Sequence, residues 1–407
     1  MSARAKIKYK IKFVGKALKA IYKMVLIPIN TWRSHAVKIN PNKIVFTNFS
    51  GNYDCNPKYI CEEIIRRKLP WQLVWTVWGH GRNENVIEEG RYPAELTLTN
   101  RYSKDFYQHL YDAHIIIDNG TSFASAAYRK KTNQVLINTW HGSLGIKRFP
   151  KNTSMRNWNY NRIARWNGKM TDYMISNSAF EDGYYRETYF QHPQILRFGH
   201  ARNDPLFRKG ELEIQCVRDK LRLQYGIPES YRICLYAPTF RDAREQNPYN
   251  IPYAGLRDVL RNRFGGEWVI LTRLHFRSKH LGIMQSMPFG VVSVTDYPDI
   301  VELMQVADVG ITDYSSWICE YVHTRRPGFM YATDIEQYDC ERGFYDPPDK
   351  MPFPLSTSGD ELLRSILEFD EAKYVRDVAE FLQRKECVDD GHAAARIVDW
   401  LEEMMKS

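Results

Sequence analysis

Short apolar runs alternate with longer amphipathic stretches from residue 43 to the end of the chain. Many of the short runs lack the alternation of a strand that has one solvent-facing side, which is typical of parallel strands buried on both faces. The predicted strands are Lys43–Phe49, Gln72–Trp78, His114–Asp118, Gln134–Asn138, Tyr173–Ser176, Ile195–Phe198, Ile233–Ala237, Val269–Thr272, Val291–Thr295, Val309–Thr312 and Gly328–Tyr331.

Stretches with the apolar spacing of amphipathic helices separate most of these strands. The predicted helices are Asn56–Arg67, Leu212–Tyr225, Ile300–Ala307, Asp360–Glu368 and a final amphipathic helix over Val388–Lys406. The β-α-β rhythm occurs twice, on either side of a polar stretch near 204–231. The sequence therefore predicts an α/β protein with two doubly wound, Rossmann-like domains that face a cleft.

We divide the chain into four parts on this basis. Residues 1–33 form a basic amphipathic helix, and residues 388–407 form the C-terminal amphipathic helix. Residues 34–204 form an N-terminal Rossmann-like domain, and residues 205–387 form a C-terminal one. Two domains of this kind facing a cleft are a common design for enzymes that use a nucleotide-linked donor.

The first 33 residues carry the whole net charge of the protein. The formal net charge is +9, and this segment holds nine Lys or Arg residues and no Asp or Glu, whereas the remainder holds 48 residues of each sign. A nucleic-acid-binding body is therefore not indicated. An apolar stripe at helical spacing runs through the segment: Ile7, Ile11, Val14, Leu18, Ile21 and Val25.

A basic amphipathic helix of this kind favours contact with an anionic membrane surface. It cannot span the bilayer, because lysines interrupt it and a spanning helix needs about 20 mostly apolar residues. A helix docked on the rest of the protein or on a partner is the main alternative, and a nucleic-acid-binding tail is a weaker one.

Polar side chains follow five of the predicted strands, at the edge where doubly wound sheets bind their ligands. These five segments are Thr139–Ser143, Gly199–Asp204, Pro238–Asp242, Arg273–His275 and Asp313–Ser316. They supply imidazoles, for which we expect a pKa near neutral, and guanidinium groups suited to phosphate oxygens.

The start of the helix after Val309–Thr312 carries the paired hydroxyls of Ser315 and Ser316. A helix N-terminus has unpaired N–H groups and a partial positive charge, so it favours phosphate. Glu320, one turn further along, suits ribose hydroxyls. Each feature alone is also found in ordinary capped helices, but together they predict phosphoryl transfer by positioning and charge stabilisation.

Several motifs resemble those of the CDP-glycerol glycerophosphotransferases of teichoic acid and capsule synthesis, over roughly residues 40–400. The matching motifs are Thr-Trp-His-Gly at 139–142, Arg-Asn-Asp at 202–204, Ala-Pro-Thr-Phe-Arg at 237–241, Arg-Leu-His at 273–275, Thr-Asp-Tyr-Ser-Ser at 312–316, Arg-Pro at 326–327 and Glu-Arg-Gly-Phe-Tyr at 341–345. The resemblance implies a GT-B-like fold and transfer of glycerol phosphate from CDP-glycerol, or a similar CDP-polyol, to a polyprenyl-linked glycan acceptor. It also implies a peripheral enzyme at the cytoplasmic face of the membrane.

The resemblance also implies roles for individual residues. His141 and His275 are implied as the essential histidines. The implied contacts of CDP-glycerol are Trp140, Gly142, Ser143, Leu144, Arg202, Pro238, Thr239, Arg273, Ser315, Ser316 and Glu320. No Cys/His cluster, H-E-x-x-H or D-x-D motif is present, so we expect no metal site and no cofactor, while a requirement for a free divalent ion stays open.

Two departures from the family pattern leave the substrates open. Ser143 to Arg148 replaces the Thr-Pro-Leu-Lys that follows Trp-His-Gly in many members, and Glu320 stands where some members have Asp. The polyol, the acceptor, primase or polymerase activity and the oligomeric state are therefore not fixed. A metal-independent GT-B glycosyltransferase and a non-catalytic nucleotide- or membrane-binding protein are the alternative interpretations.

Overall fold

The computed structural model describes residues 25–78, 92–148, 158–207, 211–239, 250–274 and 287–406. Most of the predicted tail helix and the candidate residue His275 lie outside the described residues. Within these ranges the chain forms two parallel sheets, each built from one half of the sequence. No helix among the described residues has the length and apolarity needed to cross a bilayer.

The first sheet has seven strands in the order β3-β2-β1-β4-β5-β6-β7. They are β1 (Asn40–Thr47), β2 (Gln72–Val77), β3 (Thr97–Asn100), β4 (Ala113–Asp118), β5 (Val135–Asn138), β6 (Tyr173–Ser176) and β7 (Gln194–Arg197). The second sheet has six strands in the order β10-β9-β8-β11-β12-β13. They are β8 (Tyr231–Tyr236), β9 (Glu267–Thr272), β10 (Val291–Ser293), β11 (Val309–Thr312), β12 (Gly328–Tyr331) and β13 (Leu355–Ser356).

Helices connect the strands and cover both sheets. The helices are α1 (25–35), α2 (Cys55–Arg66), α3 (Lys104–Asp112), α4 (Ser122–Ser125), α5 (Trp158–Met170), α6 (Ala179–Glu187), α7 (Asp204–Phe207), α8 (Glu211–Tyr225), α9 (Tyr253–Phe264), α10 (Ile300–Val306), α11 (Trp317–Tyr321), α12 (Ile335–Arg342), α13 (Gly359–Leu367), α14 (Glu371–Arg384) and α15 (Ala393–Lys406). Both sheets are doubly wound, with the strand order reversing between β1 and β4 and between β8 and β11.

The central strands are buried on both faces, as their continuous apolar runs predict. In β1, Ile44 and Phe46 join a core cluster on one face of the first sheet, and Val45 joins a separate cluster on the other face. All three side chains are fully buried. This explains why the strand lacks polar alternation.

The structure confirms all eleven predicted strands, with ends that differ by up to three residues. Two edge strands, Thr97–Asn100 and Leu355–Ser356, are additional. They are short and partly exposed, so neither has the continuous apolar run that identifies a buried strand. The predicted strand Lys43–Phe49 ends two residues too late, because the Asn48 side chain donates hydrogen bonds to the carbonyls of Asn52 and Asp54 and turns the chain after Thr47.

The final helix begins at Ala393, so the predicted start at Val388 is wrong. Residues 388–392 instead form the segment by which the chain returns from the second half to the first. The N–H of Val388 donates to the carbonyl of Asn177 (2.8 Å). The helix α15 then packs on the first half, where Ile397, Val398 and Leu401 join the same core cluster as β1.

The helix α1 is docked on the first half through a buried amide. Asn30 donates from Nδ2 to the carbonyl of Ala127 (3.1 Å) and accepts at Oδ1 from the hydroxyl of Tyr111 (3.2 Å). The opposite side of α1 faces solvent, and several apolar side chains are exposed there. Its large exposed side chains are Val25, Ile29 and Trp32, which are 55%, 38% and 76% exposed.

A buried ionic cluster joins the two halves of the protein. The Nζ of Lys58, on α2, lies 2.8 Å from Oδ2 of Asp299 and 2.8 Å from Oε1 of Glu302. Asp299 immediately precedes α10, and Glu302 lies on that helix. The hydroxyl of Tyr59 also donates to Asp299 Oδ2 (2.8 Å). Burial opposes ionisation of Asp299, but the charge of Lys58 outweighs it and lowers the pKa of that carboxyl.

We predict that Lys58→Met strongly destabilises the protein, because it leaves two carboxylates at the interface without their counter-charge. Removing one partner of a buried ion pair costs about 3–5 kcal/mol. Lys220→Met is the matched control, since Lys220 also contacts Glu302 (3.3 Å) but its side chain is 59% exposed. Urea unfolding should give a loss below about 1 kcal/mol for that variant. Equal losses for both variants would contradict this assignment.

Candidate functional site

The carboxyl ends of β1, β4 and β5 face those of β8 and β11, and the two halves meet there at close range. A Cβ atom placed on Gly142, after β5, would lie 3.2 Å from the Oγ of Ser316, after β11. The loops that the sequence predicted at one cleft are therefore in contact across it. Because Gly142 has no side chain, the Ser316 hydroxyl can approach the backbone of the first half.

His141 is held in one tautomer by the strand-end loop of β4. Its Nδ1 lies 2.7 Å from the carbonyl oxygen of Asn119. A carbonyl only accepts, so Nδ1 carries the hydrogen and Nε2 carries the lone pair. The rings of Phe49 and Trp140 pack on the imidazole, with centroids 4.4 Å and 4.3 Å away.

The environment keeps the imidazole of His141 neutral. Burial lowers its pKa from 6.5 to about 4, against the hydrogen bond to Asn119 and with the help of the positive charge of Arg202. The expectation of a near-neutral pKa is therefore wrong for this residue, because the aromatic packing around it removes water. A neutral imidazole whose Nε2 is not bonded by any residue of the described ranges can accept a proton.

Arg202 connects the first half of the site to the second. Its guanidinium donates to the carbonyl of His141 (3.0 Å) and to the Sγ of Cys55 (3.2 Å). It also lies 2.9 Å from Oε2 of Glu320 on α11. Both partners of this ion pair are buried, with side-chain exposures of 8% and 1%.

Neither carboxylate oxygen of Glu320 accepts a hydrogen bond from the described residues, and only Oε2 has a charged neighbour, Arg202. Its Oε1 is buried and accepts no hydrogen bond from the described residues. Burial raises the pKa of Glu320, and the charges of Arg202 and His200 oppose that shift. An unpartnered buried oxygen is costly, so Oε1 is available to a hydroxyl group of a bound molecule.

The paired serines lie at the start of the short helix α11, as predicted. Ser316 is its N-cap residue, and both serines are partly exposed. Thr239 lies beside them, because its N–H donates to Oδ1 of Asp313 (2.8 Å) and so ties the end of β8 to the end of β11. Pro238 is buried in the same turn. The second half thus contributes a hydroxylated turn that can hold an anion.

Arg273 lies where the two halves meet, at the end of β9. Its guanidinium donates to the carbonyls of Tyr297 (3.1 Å) and Pro298 (3.3 Å). Burial lowers its pKa, while the negative charges of Asp54 and Asp299 oppose that shift. The guanidinium is therefore oriented by neutral carbonyls and faces carboxylates of both halves.

Ser143 and Leu144 are fully buried beside the site. The hydroxyl of Ser143 accepts from Asn177 Nδ2 (2.5 Å), and the N–H of Leu144 donates to Oε1 of Glu181 (3.3 Å). Trp140 and Leu144 both have left-handed backbones, with φ of 51° and 50°. Such backbone strain persists only where the surroundings hold it in place, which is common at functional sites.

Several site residues are not found by the sequence argument. Cys55 and Asn56 follow the loop after β1, at the start of α2, and contact Arg202 and the carbonyl of Thr139, while Asn119 holds His141 from the loop after β4. The expectation that ligands bind beyond the carboxyl ends of the strands could have identified the residues after β1. They were missed because the predicted strand extended to Phe49 and so included the start of the loop that follows it. The contribution of Asn119 comes from its carbonyl, which no residue type reveals.

A His-Cys-Asp group lies behind the site but is already engaged in protein contacts. His323, Cys387 and Asp389 bring their side-chain ligand atoms within 4.8 Å of one another. Asp389 accepts from Asn177 Nδ2 (2.6 Å) and Asn203 Nδ2 (2.8 Å). Although burial opposes ionisation, His323, then His200 and the hydrogen bond from Asn203 lower the pKa of Asp389 to about 2. Its oxygens are thus used to join the two halves.

Comparison with known proteins identifies a family. A family model described as CDP-Glycerol:Poly(glycerophosphate) glycerophosphotransferase matches residues 29–403. The teichoic acid poly(glycerol phosphate) polymerase of Staphylococcus epidermidis is 28% identical, over 98% of this chain and 56% of that protein. The teichoic acid glycerol-phosphate transferase of Staphylococcus aureus is 28% identical, over 88% of this chain and 92% of that protein. The chain thus spans little more than half of the first relative and most of the second.

Solved structures show the same architecture. A structure of the wall teichoic acid polymerase TagF aligns with a TM-score of 0.77 at 26% identity and covers 97% of this chain and 98% of the solved one. A histidine-to-asparagine variant of TagF that was soaked with CDPG aligns with a TM-score of 0.78. The fold is therefore GT-B-like, as predicted.

The depressed pKa of His141 predicts how stability depends on pH. Between pH 6.5 and about 4 the unfolded chain binds a proton at His141 that the folded chain does not. The free energy of unfolding is therefore unaffected by this group above pH 6.5 and falls as the pH decreases through that range. We expect the total decrease in the free energy of unfolding to be roughly 1–3 kcal/mol.

Replacement of His141 by Gln keeps a donor for the Asn119 carbonyl and removes the titration. Urea unfolding at pH 7, 5.5 and 4.5 should show a smaller loss of stability for His141→Gln than for the wild type. Parallel pH dependences would show that the imidazole is protonated equally in both states.

Proposed function

The chain belongs to the CDP-glycerol:poly(glycerophosphate) glycerophosphotransferase family, and we propose that it transfers glycerol phosphate, or the phosphate of a related polyol, from a CDP-linked donor to a hydroxyl of a polyprenyl-linked teichoic acid or capsule acceptor, with release of CMP. The residues from 34 to 204 act mainly on the acceptor, and those from 205 to 387 bind the donor. The relatives that carry teichoic acid glycerol-phosphate transferase and polymerase activities in their names support this reaction class.

One observation supports the proposal most strongly: a neutral imidazole of the first half and a hydroxylated turn of the second half lie where the two halves meet. Gly142, next to His141, is within contact distance of Ser316. The Arg202–Glu320 ion pair joins the two halves at the same place. A donor held at the serines therefore has its phosphates beside the imidazole.

We propose that the reaction is a direct in-line displacement. The acceptor hydroxyl loses its proton to Nε2 of His141 and forms a bond to the β-phosphorus of the donor. The bond from that phosphorus to the bridging oxygen breaks, and CMP leaves with the electron pair. The bound diphosphate also raises the pKa of the neighbouring imidazole, which brings its basicity closer to that required of a general base.

Charge stabilisation comes from the second half of the site. Ser315, Ser316 and Thr239 offer hydroxyl and backbone donors to the diphosphate, and Arg273 supplies positive charge. The free Oε1 of Glu320 accepts from a ribose hydroxyl. The donor is confined by the backbone at Trp140 and Gly142 and by the turn at Pro238. Ser143 and Leu144, which are fully buried, hold the loop of Trp140 and Gly142 in place. His275, which follows Arg273 in sequence, is a second candidate for charge stabilisation.

The peripheral location that we propose, at the cytoplasmic face of the membrane, depends on the N-terminal segment. Its nine basic residues are attracted by anionic lipid. The described end of the segment presents Val25, Ile29 and Trp32 to solvent on one side of α1, while Asn30 holds the other side on the first half. An exposed apolar strip beside a basic segment suits insertion into an interface.

Transfer is tested by mass analysis of the product formed from CDP-glycerol or CDP-ribitol and a short lipid-linked disaccharide. We expect a mass increase of one polyol phosphate and release of CMP. His141→Ala should lower kcat by about 10²- to 10⁴-fold, because it removes the general base. His114→Ala is the control, since His114 contacts the Pro41 carbonyl at the amino end of β4, whereas the site lies at the carboxyl ends of the strands.

The same assay decides the role of the second histidine. A folded His275→Ala variant with wild-type turnover removes that residue from the mechanism. Wild-type turnover in folded His141→Ala would overturn the proposed displacement, and absence of CMP release with every donor would favour a non-catalytic protein.

Membrane association is tested by flotation with vesicles that contain anionic lipid. Deletion of residues 1–24, and separately the substitution of Val25, Ile29 and Trp32 by Ser, should each reduce the floated fraction, because they remove charge and apolar area respectively. Leu223→Ser is the control for the triple variant, because Leu223 is 88% exposed on α8. Unchanged flotation in both test variants would refute the anchor.

A further inference from the structure

Asn56 is a buried amide at the start of α2 that touches two of the loops of the site at once. Its side chain is 1% exposed. Nδ2 lies 3.0 Å from the carbonyl oxygen of Thr139 and 3.3 Å from that of Trp140. Oδ1 accepts from the N–H of Arg202 (3.0 Å). One side chain thus bonds the segment leading into His141 and the residue that pairs with Glu320.

We infer that Asn56 is a positioning residue of the transfer reaction, and that its amide fixes the loop of His141 relative to Arg202. The inference rests on the proposed function, because it assigns Asn56 an effect on that reaction. Asn56 acts on the site through the backbone of the residues that it bonds, Thr139, Trp140 and Arg202.

The orientation of the amide is determined by its partners. The Arg202 N–H can only donate, so the oxygen of Asn56 faces it, and the carbonyls of Thr139 and Trp140 can only accept, so the nitrogen faces them. His200 lies beside the same amide, with its Nδ1 3.2 Å from Asn56 Nδ2 and its Nε2 2.8 Å from Oε2 of Glu181.

The loop needs such an anchor because its backbone is strained. Trp140 has a left-handed backbone (φ 51°), and the next residue is His141. Left-handed conformations of non-glycine residues persist only where contacts hold them. Hydrogen bonds from Asn56 to the carbonyls of Thr139 and Trp140 supply part of that restraint. A shift of about 1 Å at a reacting group can cost about 10²-fold in rate.

Two substitutions separate the two bonds of the amide. Asn56→Asp keeps an oxygen for the Arg202 N–H and replaces the donor by a second acceptor, whereas Asn56→Ala removes both. We expect Asn56→Asp to lower kcat at least tenfold with a donor KM close to that of the wild type. Asn56→Ala should lower kcat and also raise the donor KM, because Arg202 is then released.

Asn30 provides the matched control, because it is also buried and bonds a backbone carbonyl, that of Ala127 (3.1 Å), away from the site. Asn30→Asp and Asn30→Ala should change the urea midpoint without changing kcat or KM in the folded protein. A folded Asn56→Asp variant with wild-type kcat would overturn the inference, as would equal kinetic effects in the Asn30 pair.

A second measurement keeps this test separate from the proposed function. The ring nitrogen chemical shifts of His141 in a 15N-histidine-labelled protein report which nitrogen carries the hydrogen. Asn56→Asp should weaken the preference for hydrogen at Nδ1, and Asn30→Asp should not. If the wild type shows no transfer with any CDP-polyol, the proposed function fails, while unchanged His141 shifts in Asn56→Asp would refute the positioning role by themselves.

Discussion

The buried ion pair between Arg202 and Glu320 is the contact on which the rest of the site depends. Neither charge is tolerated in the interior without the other, and the two come from different halves of the protein. Arg202 also donates to the carbonyl of His141. One guanidinium group therefore sets the positions of both the imidazole and the helix α11, so these groups are brought together only when the two halves are docked.

The helix α2 carries this constraint through the molecule. Its first residues, Cys55 and Asn56, contact the site, and Lys58 reaches Asp299 in the second half. At its other end, Arg67 donates to the carbonyl of Ala395 in the C-terminal helix (3.1 Å). A rigid element with contacts at both ends transmits small displacements without absorbing them. The site, the interface and the returning helix are thus fixed by one element.

Much of the fold follows from the sequence, because parallel strands buried on both faces have continuous apolar runs that stand out from amphipathic helices. Chemistry at the strand ends was predictable for the same reason, and the structure brings His141, Arg202 and Ser316 together there. What the sequence could not reveal depends on backbone geometry. The Asn119 carbonyl, the turn after Thr47 and the lowered pKa of His141 arise from packing and local hydrogen bonds, which no residue spacing encodes.

The chain passes between the halves twice, and the two passages touch. The first follows β7, and the second runs from the end of α14 to Ala393. Asp389 of the second passage accepts from the N–H of His200 (2.8 Å) and from Asn203 in the first. Two domains joined by adjacent connecting segments rotate most easily about the line through both segments, because a translation would have to extend each segment. A relative movement of the two halves would therefore be a rotation about the two passages, near Asp389, and not a translation.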